Sequence, residues 1–279
     1  MNSVINSAIG RAQRALALTH LGTRAALKIK NQCDMIIGAH LADGNVPSRS
    51  GEDWLAQLVA PYTRYFVDVG ANVGDWALMF ASYMTELPTG LLFEPNPSTA
   101  SRLRSVLLNE KLEACEIIEA AVSDRAGSAL FYAEESCGET SSLYSSSLRT
   151  NARTVDVRLC KLADELSSRD ITQVDVLKID AEGHDLFVML GAESYIAAHH
   201  ISILQFEYNS QWMDAGATLT RAFHFLEYHG YKVRLLRRHG LYELDVRVTG
   251  EFFKYSNFIA YCESPLGDIL NRLPCRPAL

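Results

Sequence analysis

The sequence has no CxxC pair, no Cys/His cluster at zinc spacing, no apolar run long enough to cross a bilayer and no excess of basic charge. Each absence removes a class of protein. The six cysteines, Cys33, Cys115, Cys137, Cys160, Cys262 and Cys275, are scattered, several of them inside apolar runs where a reduced thiol acts as a small hydrophobe. That usage argues against a zinc centre and for a reducing compartment, so a cytoplasmic protein without a transmembrane segment is expected. The formal net charge of −7 supplies no electrostatic reason for binding a nucleic-acid backbone, and none is expected as a partner. A GxGxxG fingerprint is also missing, which counts against a nicotinamide-dependent oxidoreductase.

What is present is a chain of 279 residues, 48% hydrophobic and 21% charged, sufficient for one large core. Between Asn2 and Asn31 the only charged residues are Arg11, Arg14, Arg24, Lys28 and Lys30, set among Ala, Leu and Ile at helical spacing. Residues 1–60 therefore read as a basic helical extension, with a loop over 45–51, ahead of a main domain at 61–279. The extension either packs over that domain or rests on an anionic membrane surface.

From Tyr65 the pattern alternates between short apolar strands and helices: YFVDVG, GDWALMFASYM, GLLFEP, PSTASRLRSVLLNE, CEIIEAAVS. Such alternation predicts an α/β fold, a parallel sheet covered by helices on both faces, with ligands bound beyond the carboxyl ends of the strands. A polar, Ser-rich connection over 131–150 breaks the rhythm and suits substrate recognition. The alternation resumes with VDVLKID, a helix over LFVMLGAESYIAAH, ISILQFEY, a helix over TRAFHFLEYHG, and the strands YKVRLL and NFIAYC.

The strand ends carry the chemistry. After the first comes Asp68-Val69-Gly70-Ala71-Asn72-Val73-Gly74, where glycines allow a tight turn and Asn72 stands in the second glycine position of a nucleotide-binding loop. With Asp68 just upstream, this loop suits a ligand bearing an ammonium and a carboxylate better than a diphosphate. The second strand ends at Glu94, placed to accept from both hydroxyls of a ribose. The third ends in small residues around Ala121, with Asp124 positioned to accept from an exocyclic amine. An amino-acid end, a ribose and an adenine together describe S-adenosylmethionine.

The run from Val174 to Ile179 then sets down Asp180, Glu182, His184 and Asp185 within six positions. The succession VDVGANVGDW, FEPNP, AAVSD, SSLY, KIDAEGHDLFVMLGAE, LQFEYN and NFIAY, over about Tyr65 to Tyr261, resembles that of FkbM-type S-adenosylmethionine-dependent methyltransferases. The resemblance implies a Rossmann-like, seven-stranded class I methyltransferase sheet, parallel except for one late strand. It also implies O-methylation of a small molecule, a sugar or a specialised metabolite. Asp68, Gly70, Asn72 and Gly74 are then the methionine-end loop, Glu94 the ribose acceptor, Ala121 and Asp124 the border of the adenine. Asp180, Glu182 and His184 stand between donor and acceptor. An Asn- or Asp-Pro-Pro-aromatic turn, the mark of amino-group methylation, is replaced by IDAEGH.

A hydroxyl attacks only if its proton has somewhere to go. Two devices are compatible with the residues: His184 as general base oriented by Asp180 or Glu182, or a divalent cation such as Mg2+ held by Asp180, Glu207 and Asn209. Capping of the following helix by Asp180 and Glu182 competes with both. A catalytically silent binder of S-adenosylmethionine is the alternative to an enzyme.

Overall fold

The computed structural model describes residues 2–41, 50–109, 112, 114–133, 141–144 and 153–278. Cys137, most of the 45–51 loop and most of the Ser-rich connection over 131–150 lie outside the described residues. The chain divides into two compact units, Met1–Ala42 and Asp43–Leu279. The first consists of two helices, Asn2–Ala17 and His20–Leu41. The Glu52–Val59 helix buries Leu55, Ala56 and Val59 in the core of the second unit. Among the described residues no helix is long and apolar enough to cross a membrane.

The second unit is built on strands β1 (Phe66–Val69), β2 (Gly90–Phe93), β3 (Cys115–Ile118), β4 (Ala121–Val122), β5 (Gly127–Ala133), β6 (Arg153–Cys160), β7 (Val174–Ile179), β8 (Ile201–Tyr208), β9 (Lys232–Arg237), β10 (Gly240–Glu243), β11 (Ser256–Tyr261) and β12 (Cys275–Pro277). The main sheet runs β3-β2-β1-β7-β8-β11-β9-β10-β12. Its first five strands are mutually parallel, and β11 enters antiparallel to both of its neighbours. That is the expected seven-strand arrangement with one reversed strand. Two edge strands, β10 and β12, extend it to nine. The single strand expected over 115–123 is instead two, because β4 leaves the main sheet and pairs with β6, which pairs in turn with β5.

Both faces are covered, as uninterrupted apolar strands require. On one face the helices Glu52–Val59, Asp75–Ala81, Pro97–Asn109 and Pro265–Asn271 pack Leu55, Phe80, Leu103 and Leu270 on Phe66, Leu92, Val176, Ile203 and Ile259. On the other, Phe223 of the Leu219–Tyr228 helix meets Phe258 edge-on, with ring centroids 5.6 Å apart. Each such fully buried side chain contributes roughly 1.5–3 kcal/mol relative to exposure.

The register of the central strands has a consequence for chemistry. Asp68 lies beside Lys178, and Lys178 beside Gln205, on three adjacent strands. A row of polar side chains thus crosses the carboxyl end of an otherwise apolar face. All three are buried.

Candidate active site

Beyond the carboxyl ends of β1, β2, β7 and β8 lies a cavity of about 620 Å³, within the range that holds a cofactor-sized ligand. Asp68, Gly70, Asn72, Glu94, Ala121, Asp180, Glu182, His184, Glu207 and Asn209 line it. Ten of the residues singled out in the sequence are therefore brought together. Two are not on the lining: Gly74, which precedes the Asp75–Ala81 helix as its N-cap, and Asp124. The turn that parts β3 from β4 explains Asp124, which accepts from the Ser123 hydroxyl at 3.1 Å and pairs with Arg125 at 3.5 Å.

The loop after β1 is shaped by close approach. Gly70 has φ 85°, and a Cβ there would stand 1.9 Å from the Asp180 carbonyl oxygen. Asn72 takes φ 47°, a left-handed conformation that Asn tolerates, and its N–H donates to Glu94 Oε2 at 3.0 Å. The other Glu94 oxygen accepts from the Asn96 N–H at 2.8 Å. Glu94 thus joins the two strand-end loops. Burial pushes its carboxyl up to about 7, against the pull of those two amides.

Asp68 is 1% exposed, and among the described residues neither of its carboxylate oxygens has a hydrogen-bond partner. Burial raises it to about 7, with Lys178 opposing the rise. An orphaned acid in a cavity wall is costly unless a ligand supplies its partner. Lys178 is the one buried cation of the polar row: its Nζ donates to Asp180 Oδ2 at 3.0 Å and lies 5.8 Å from the centre of the Trp76 ring. Desolvation alone would lower its proton affinity, but Asp180, Asp68 and Glu52 together raise it.

Glu52 also lines the cavity, outside the set singled out from the sequence. It comes from the helix before β1, accepts from Gln205 Nε2 at 2.6 Å and from Ser50 Oγ at 3.0 Å, and is pushed up by burial. Its one signal is an acid on the buried face of an amphipathic helix. Phe253, Lys254 and Tyr255, just ahead of β11, also line the cavity. Tyr208 and Trp212 are wholly buried core, whereas Trp76 lines the cavity while stacking on Phe80.

At the end of β7, Glu182 and Gly183 have φ 50° and 94°, and a Cβ on Gly183 would lie 2.7 Å from the Gln211 carbonyl. Lack of a side chain there lets the turns after β7 and β8 touch. His184 stands at the N-cap of the Asp185–Gly191 helix and makes no side-chain capping bond there. Glu207 accepts from Asn209 Nδ2 at 2.7 Å and is pushed well above the ordinary carboxylate range by burial, then by Asp180, Glu182 and Asp185.

His184 is engaged at both ring nitrogens. Nδ1 meets the Tyr144 hydroxyl at 2.6 Å, Nε2 meets Ser123 Oγ at 2.9 Å, and the ring stacks on Phe187 with centroids 4.8 Å apart. With the Ser123 hydroxyl turned to Asp124, a neutral imidazole protonated at Nε2 satisfies every contact. Burial lowers its proton affinity to about 4.

The residues do not fit a divalent cation. Asn209 turns its amide nitrogen, not its oxygen, toward Glu207 and Glu182, and its Oδ1 is taken by the Gln211 N–H at 2.9 Å. Among the described residues no group of three or more His, Cys, Asp or Glu side chains is arranged to hold a metal ion. The Mg2+ site expected from Asp180, Glu207 and Asn209 is thereby corrected: two of its three members hydrogen-bond each other.

Residues 68–233, more than half of the chain, match the family described as the methyltransferase FkbM domain. Methyltransferase sdnD of Sordaria araneosa is 29% identical over 164 residues, 48% of this chain and 62% of that protein. The crystal structure of methyltransferase FkbM from Methylobacillus flagellatus KT aligns with 15% identity over 71% of this chain and 44% of that one, at a TM-score of 0.46. That of a precorrin-6y C5,15-methyltransferase from Geobacter metallireducens GS-15 aligns with 13% identity over 75% and 85%, at 0.43. The chain spans less than two thirds of the length of the first two of these proteins.

Proposed function

Because the chain belongs to the FkbM methyltransferase family, we propose that its cavity takes S-adenosylmethionine and that it transfers the methyl group to a hydroxyl of a small molecule, a sugar or a specialised metabolite. The observation that carries this reading is the orphaned Asp68 carboxylate, on the same cavity lining as Glu94. Asp68 answers the ammonium of the amino-acid end. Glu94 retains lone pairs for the ribose hydroxyls after accepting its two backbone amides. Ala120, Ala121 and Val122 leave a smooth apolar wall for the base.

The bound sulfonium supplies an electrophilic methyl carbon. What the protein supplies is alignment and a place for one proton. With the donor bound, transfer would replace the carbon–sulfur bond by a carbon–oxygen bond and leave the electron pair on sulfur, while the hydroxyl proton would pass to a carboxylate of this chain. We assign that role to Glu207, not to His184. One Glu207 oxygen is held by Asn209, and burial, then the carboxylates around it, raises its affinity for a proton. His184 positions the turn after β7, through its two hydrogen bonds. Asp180, tied to Lys178, and Glu182, whose carbonyl accepts from Ser142 Oγ at 2.9 Å, hold the same turn.

The test is transfer of a labelled methyl group to a panel of hydroxylated acceptors. A methyl ether formed in step with S-adenosylhomocysteine is expected. Label found on nitrogen or carbon would overturn the hydroxyl reading, and cofactor binding with no product from any acceptor would favour a silent binder.

A further inference from the structure

The helical pair that precedes the family domain has an unusual surface. Leu21, Ala25, Ile29, Cys33 and Ile36 recur at helical spacing along one side of His20–Leu41, and Ile9, Ala12 and Leu16 do so along Asn2–Ala17. Almost all of this stripe is exposed: Leu21 is 80%, Ile29 65% and Ile36 69% accessible. Arg11 and Arg14 lie across the first helix from its stripe, and Arg24 and Lys28 flank the second. Through residue 42 the chain holds five basic residues and one acidic residue, Asp34, although the whole carries −7.

Helices of 16 and 22 residues are marginal in water when they bury little. Their apolar stripes call for a covering surface, and the cations beside those stripes say of what sign. Two copies meeting face to face through this surface would bring like charges together. An anionic bilayer meets both demands, receiving leucine and isoleucine at the acyl boundary and the cations among its headgroups. Since neither helix is apolar all round, crossing is excluded and lying in the interface is not.

We propose that the Asn2–Ala17 and His20–Leu41 helices form a membrane-surface element that rests the protein on anionic lipid. This is independent of the reading of the active site. The full chain is floated with vesicles of phosphatidylcholine plus phosphatidylglycerol, and with vesicles of phosphatidylcholine alone. Enrichment with the anionic vesicles only is expected. Arg24→Glu with Lys28→Glu should weaken it more than about tenfold, at about 1 kcal/mol for each charge near the surface. Ile29→Asp with Ile36→Asp should abolish it, and neither pair should change S-adenosylhomocysteine binding. Absence of flotation, or flotation indifferent to both pairs, overturns the proposal. A dimer seen by light scattering that Ile29→Asp with Ile36→Asp dissociates, while vesicles stay bare, also overturns it, in favour of a second copy.

Discussion

Asp68, Glu52, Glu94 and Glu207 each carry a carboxyl whose proton affinity is raised, and all four line one cavity. Burial is the first cause in every case. The base role is the sharpest consequence. Glu207→Gln removes the proton acceptor but keeps a partner for Asn209, and should lower kcat by about 10²- to 10⁴-fold. The wild-type rate should climb with pH as the raised carboxyl of Glu207 ionises, and that acid limb should vanish in the variant. His184→Asn should keep the limb, because a ring whose affinity is lowered to about 4 is neutral throughout the assay range. Pre-steady-state rates from pH 5 to 9 decide the matter, and a limb that vanishes with His184 would return the base role to the imidazole.

Among the elements, the loop after β1 and the turn after β7 are built against each other. Gly70→Ala would force a Cβ toward the Asp180 carbonyl in a left-handed backbone, at a cost of roughly 1–3 kcal/mol for the conformation alone. Thermal denaturation should show a clear fall in Tm, with cofactor affinity falling alongside. An unchanged Tm would mean that the two turns do not meet. Much of this was legible beforehand. Asp68, Glu94, Asp180 and Glu207 each terminate or interrupt a buried apolar run, and such a run announces both the strand and the end that faces the ligand. What stayed hidden depended on pairing. The β10 and β12 strands, GLYE and CRP, are too short and mixed to signal an edge. That Asp124 lies off the lining was hidden because nothing in CEIIEAAVS marks the turn at which the chain leaves one sheet for another. Glu52 carried only a weak signal, because it is the register of Asp68, Lys178 and Gln205 that makes its helix part of the site.

At the scale of the molecule, a nine-stranded sheet gathers four strand ends around one cavity, and the family match begins at the residue on which the ligand reading turns. Asp68 must be ionised to hold an ammonium, and its carboxyl is raised to about 7. Ligand binding should therefore strengthen as pH rises through 7 and release protons below it. The same shift makes the ligand-free protein lose stability over that rise, since the folded state keeps protons that the unfolded chain has already given up. Calorimetric titration of the full chain with S-adenosylhomocysteine at pH 5.5 and pH 7.5 tests the central claim most directly. One site per chain is expected, severalfold tighter at the higher pH and weakened by Asp68→Asn. No detectable binding at either pH, or binding indifferent to Asp68, would contradict it.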